Sequence, residues 1–97
     1  MLHLLVAYDV NTVSENGSKR LYNLSKVCVQ NGQRVQYSLF ECQITETQFE
    51  RFRARLLKIV DKEHDSLRIY HLRGKREEFV ETYGIERYIN LEGPLIF

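Results

Sequence analysis

From Leu2 to Tyr8 the chain is almost continuously apolar and then breaks at Asp9, the pattern of a strand placed centrally in a sheet or covered on both faces. Asp9 to Gly17 is rich in turn formers. Beyond it Leu21, Leu24, Val27 and Cys28 recur at helical spacing until Asn31-Gly32 supplies a stop. This predicts a first helix with Lys19, Arg20, Asn23 and Lys26 on its wet side. Gln33 to Tyr37 and Leu39 to Ile44 predict two strands, and in the second Phe40, Cys42 and Ile44 alternate with Leu39, Glu41 and Gln43, so one set faces inward. Thr45 with Gln48 fits a capping box, after which Phe49, Phe52, Leu56, Ile59 and Val60 form the apolar stripe of a second helix reaching Asp61. Its opposite face carries Arg51, Arg55, Lys58 and Lys62. Asp65-Ser66 opens a fourth strand, Leu67 to Leu72. Gly74 to Glu78 fits an exposed turn or short helical start, and Tyr83-Gly84 breaks the chain before the apolar ends Ile89-Asn90-Leu91 and Leu95-Ile96-Phe97.

The order strand, helix, strand, strand, helix, strand predicts an α+β ferredoxin-like domain spanning residues 1–97, with both helices on one face of an antiparallel sheet. The other face needs a cover. Leu95, Ile96 and Phe97 would each forgo about 1.5–3 kcal/mol by staying in water. The C-terminus is therefore expected to dock as an extra edge strand on a neighbouring subunit. A chain of 97 residues buries a modest share of its surface, which gives a second reason to expect a homodimer.

An apolar fraction of 43% with 28% charged residues excludes the disordered regime. The formal net charge of +1 gives no global pull on nucleic acid, so any such binding must come from how 14 basic and 13 acidic residues are distributed. The start of the chain has no signal-peptide pattern, and no run reaches the length of a membrane span. Cys28 and Cys42 fit neither a metal spacing nor a disulfide framework, and a cytoplasmic protein with reduced thiols is expected. His3, His64 and His71 show no metal-ligand spacing, and Ser38 lacks the partners of a covalent serine mechanism.

Four segments together carry a resemblance: Tyr8-Asp9-Val10, the run from Gly32 to Cys42, Asp65-Ser66-Leu67-Arg68-Ile69-Tyr70, and Pro94-Leu95-Ile96-Phe97. In this order, over nearly the whole chain, they resemble the second CRISPR-associated protein family, the small nuclease-like partner of the spacer integrase, and most of all its compact type I-C members. The resemblance implies a ferredoxin-like homodimer with exchanged C-terminal strands, lying between integrase dimers and spanning duplex DNA. It also implies a metal-dependent endonuclease, with duplex DNA favoured and single-stranded RNA as the other substrate described for the family.

Under that resemblance Asp9 is the metal ligand and the first catalytic residue; taken alone, an Asp at this place is more often a turn cap. Magnesium, with manganese as a substitute, keeps several waters and needs only one or two carboxylates, so a two-fold axis near Asp9 would complete a pair. Arg34 and Phe40 match positions linked to activity, and Tyr8 is a catalytic candidate because its hydroxyl could orient a water or touch phosphate. Each has a plain alternative: packing for Tyr8, an exposed edge charge for Arg34, and the core for Phe40, which alternates with Cys42 and Ile44. Lys19, Arg20, Lys26 and Arg34 are the candidate nucleic-acid contacts; a solvated surface is the alternative. Arg73, Lys75 and Arg76 form a second basic knot offset by Glu77 and Glu78.

Three other readings compete with the enzyme. One is a structural adaptor of the integrase that does not cleave. Another is a related toxin ribonuclease sharing the fold and a strand-end Asp. The third, an RNA-binding module of RRM type, lacks its stacking aromatics in Ser38-Leu39-Phe40-Glu41-Cys42.

Overall fold

The computed structural model describes residues 1–85 and Tyr88. The chain forms β1 (Leu2–Asp9), α1 (Gly17–Asn31), β2 (Gln33–Gln36), β3 (Leu39–Ile44), α2 (Glu46–Ile59), β4 (Ser66–Leu72) and a one-turn α3 (Arg76–Phe79). The strands make an antiparallel sheet in the order β2-β3-β1-β4. This is the α+β, ferredoxin-like arrangement that the alternating pattern predicts. β1 lies centrally, paired to β3 and β4.

Strand alternation sends Leu4, Val6 and Tyr8 of β1 to the helix side with Phe40, Cys42 and Ile44 of β3, where they pack on Leu24, Val27 and Cys28 of α1 and Phe49, Phe52 and Leu56 of α2. Both cysteines are free and buried, and burial pushes each thiol up to about 12. The capping box at α2 is complete. Gln48 N donates to Thr45 Oγ1 at 3.1 Å, and Thr45 N donates to Gln48 Oε1 at 2.8 Å.

The sheet face away from the helices is partly covered by the segment that follows β4. Glu41, which alternation points outward, is only 5% exposed because Arg76 reaches back to it, donating from Nε at 2.8 Å and from Nη2 at 3.0 Å. A buried carboxylate persists only when paired, and this bidentate contact ties α3 to the sheet. His3 adds a second tie, its ring meeting Phe79 edge-on at 5.3 Å. Between this segment and Leu5, Leu39 and Leu72 lies a groove of about 490 Å³. The terminal strand expected from Leu95, Ile96 and Phe97 lies outside the described residues. Among the described residues no helix is long and apolar enough to cross a membrane.

Candidate functional site

Asp9 is the last residue of the central strand and is exposed. It pairs with Ser66 across the β1–β4 ladder, and alternation from the buried Tyr8 puts its side chain on the face away from the helices. Among the described residues no donor meets its carboxylate. Its oxygens are therefore available to a cation. A lone exposed carboxylate suits an ion such as magnesium that keeps most of its waters.

The loop leaving Asp9 is fixed by a polar network rather than by apolar packing. The Asn11 side chain accepts from Val13 N at 3.0 Å and Ser14 N at 3.2 Å, an Asx turn that explains why Asn stands there. Asn11 N in turn donates to Asp65 Oδ1 at 3.1 Å. Asp65 also accepts from Asp61 N at 2.9 Å and from Arg20, at 2.8 Å from Nε and 3.2 Å from Nη2. Its side chain is 0% exposed and that of Arg20 12%. The Arg20 hydrogen bond, helped by the backbone amides, lowers the Asp65 carboxyl to about 2, while Asp65 raises Arg20. Gly17 completes the joint, because a Cβ there would stand 2.2 Å from Asn11 O.

The residues expected to form the site do not converge. Tyr8 is buried with its ring centroid 6.0 Å from that of Phe40, which is fully buried. Arg34 pairs with Phe40 in the sheet, lays its guanidinium 5.1 Å from the Phe40 centroid, and donates to Ser25 Oγ. Tyr8, Arg34 and Phe40 thus cluster on the helix side, and Asp9 faces the other way. Arg20, expected to contact phosphate, has its Nε and both terminal nitrogens engaged, Nη1 with Glu15 O and Nη2 with Ser14 Oγ at 2.7 Å as well as Asp65. It holds the loop. Lys19 and Lys26 are exposed on α1.

Two groupings have no place in the expected site. Asp61, Glu63 and His64 bring potential ligand atoms within 4.8 Å of one another, and His64 Nδ1 lies 2.9 Å from Asp61 Oδ2. The contact with His64, then the amide of Glu63, lowers the Asp61 carboxyl. Their tight spacing in the chain was the available signal. The other is Arg68, exposed on the same face as Asp9 and paired with Ala7.

Comparison with known proteins matches residues 1–79 to the family model described as CRISPR associated protein Cas2. The CRISPR-associated endoribonuclease Cas2 1 of Moorella thermoacetica is 44% identical over 95 residues, covering 98% of this chain and 99% of that protein. The CRISPR-associated endonuclease Cas2 of Halalkalibacterium halodurans is 46% identical over 94 residues, covering 97% and 98%. Among solved structures, Streptococcus pyogenes Cas2 at pH 6.5 superposes with a TM-score of 0.73 and 48% identity, covering 84% of this chain and 99% of that one.

Proposed function

The chain belongs to the CRISPR-associated Cas2 family, and from that premise we propose that it is a metal-dependent endonuclease acting on a nucleic-acid phosphodiester as a homodimer in the cytoplasm, alongside the CRISPR integrase. The observation that carries the reading is the carboxylate of Asp9, exposed at the end of the central strand and, among the described residues, met by no donor. The names of the relatives, one an endoribonuclease and one an endonuclease, agree with the reaction class. Duplex DNA is the favoured substrate by resemblance, with single-stranded RNA the other. The likeness to type I-C members rests on the same quoted motifs.

In the reaction a water oxygen bonds to phosphorus as the bond from phosphorus to a sugar oxygen breaks; one proton leaves the water and one is taken up by the departing oxygen, so a single water is consumed. No protein nucleophile is needed. Magnesium or manganese, when bound, supplies a polarised phosphoryl oxygen and a more acidic water. Asp9 would hold that ion, with the Asp9 of a second copy as the natural partner across a two-fold axis. The Arg20 and Asp65 network fixes the loop behind it. Arg34, Lys19 and Lys26 contribute affinity for the phosphate backbone from the other face, without reading sequence. Tyr8 and Phe40 shape the strand end from within the core.

The test is cleavage of labelled duplex DNA and labelled single-stranded RNA by purified protein, with and without magnesium. Asp9→Ala is expected to abolish cutting while its circular dichroism and nucleic-acid affinity stay at the wild-type level. Cutting at the wild-type rate by that variant refutes the reading. A second reading, the adaptor without cleavage, is favoured by the separation of Tyr8, Arg34 and Phe40 from the Asp9 face. Spacer acquisition that survives Asp9→Ala and fails on deletion of residues 90–97 supports it.

A further inference from the structure

We propose that Arg68 is the guanidinium that binds the phosphate at the Asp9 site, a role that rests on the phosphodiester reading above. Two arginines stand in the described strands, Arg34 of β2 and Arg68 of β4. Arg34 lies over Phe40 on the helix side, which leaves Arg68 as the sole Lys or Arg that the described strands present on the Asp9 face.

The register sets the distance between them. Ala7 pairs with Arg68 and Asp9 with Ser66, so Asp9 and Arg68 are diagonal neighbours on one face. Such neighbours stand roughly 7–8 Å apart, within reach of a long side chain. No ion pair joins the two, and among the described residues Arg68 meets the Tyr70 hydroxyl, donating from Nη1 at 3.2 Å. That contact raises the Arg68 pKa and leaves the guanidinium charged at any working pH. The segment after β4 lines its groove against Leu5, Leu39 and Leu72 but not against Asp9 or Arg68. Among the described residues both Asp9 and Arg68 are left exposed.

A carboxylate and a guanidinium at this separation, neither neutralising the other, suit a ligand that is itself anionic and can take up both a cation and a planar fork of donors. A phosphodiester meets that description. Asp9 alone would repel such a substrate, and Arg68 offsets the repulsion at the reacting group. As charge builds on the phosphoryl oxygens, a fixed donor there strengthens. Removal of one such donor typically lowers turnover by about 10²–10³-fold.

Turnover at saturating labelled duplex DNA and at saturating labelled single-stranded RNA, with magnesium, distinguishes the outcomes for wild type, Arg68→Gln, Arg68→Lys and Asp9→Ala. A second readout, free of metal and of cleavage, is the slope of log affinity against log salt for each nucleic acid. Arg68→Gln is expected to lower turnover about 10²-fold and Arg68→Lys to recover part of it. In Arg68→Gln the salt slope is expected to shrink by about 0.9 on duplex or about 0.7 on single strands, one phosphate contact. The nucleic acid on which both changes occur identifies the substrate. Wild-type turnover in Arg68→Gln beside an inert Asp9→Ala overturns the role of Arg68 and leaves the nuclease reading standing. Lowered turnover with an unchanged slope also overturns it, since Arg68 then touches no phosphate. Full activity of Asp9→Ala sinks the nuclease reading instead, and the slope alone then decides whether Arg68 holds phosphate.

Discussion

Replacing Asp65 by Ala removes the acceptor of four hydrogen bonds at once: the amides of Asn11 and Asp61 and two from the Arg20 guanidinium. The Arg20 side chain, 12% exposed, would be left without its counter-charge, and the two amides without a partner. The pair is part-buried, and leaving hydrogen-bond donors without their acceptor in such a place costs about 1–3 kcal/mol. That is a large share of the roughly 5–15 kcal/mol that holds a domain together. At about 4–8 °C per kcal/mol for a domain of this size, thermal unfolding at fixed protein concentration should shift down by about 5–20 °C. The sign with pH follows from the carboxyl lowered to about 2 in the folded chain. Its contribution is complete above the ordinary value of about 3.9 and disappears as pH falls through the folded value. The acid limb of the stability curve should therefore be shallower in Asp65→Ala between those pH values. A loss below about 1 kcal/mol at neutral pH, measured by urea unfolding, would show that the network is solvated and fixes nothing.

Gly17→Ala drives a Cβ to 2.2 Å from Asn11 O, so the loop behind Asp9 must shift; a loss of about 1–3 kcal/mol is expected by urea unfolding. Unchanged stability would mean that the loop gives way freely. Thr45→Ala breaks the capping box of α2 and should cost about 1 kcal/mol, read from the unfolding midpoint, with nucleic-acid cleavage unaltered.

The elements were legible because each is set by neighbours within a few residues: the capping box, the alternation of Phe40, Cys42 and Ile44, and the stop at Asn31-Gly32. The site was less so. Asp9 stands at the strand end that its break in hydropathy marks, but which face Arg34 takes depends on the β2–β3 register, which shifts between Arg34 and Gln36. Arg20 meets Asp65 across 45 positions, a pairing no local pattern encodes, so a basic residue on a wet helix face looked free when it was committed. Glu41 alternates outward as expected, yet it is buried because Arg76 folds back over it from 35 residues away. Arg68 sat in a quoted motif without a role, since only the strand pairing puts it beside Asp9.

The two thiols at the heart of the sheet and helices give the molecule an internal gauge of its own opening. With burial holding each at about 12, neither Cys28 nor Cys42 reacts with an alkylating reagent while the chain stays closed. Modification must then wait for the core to come apart, so its rate tracks the population of the open form. An intact native chain should behave toward such reagents as though it contained no cysteine at all.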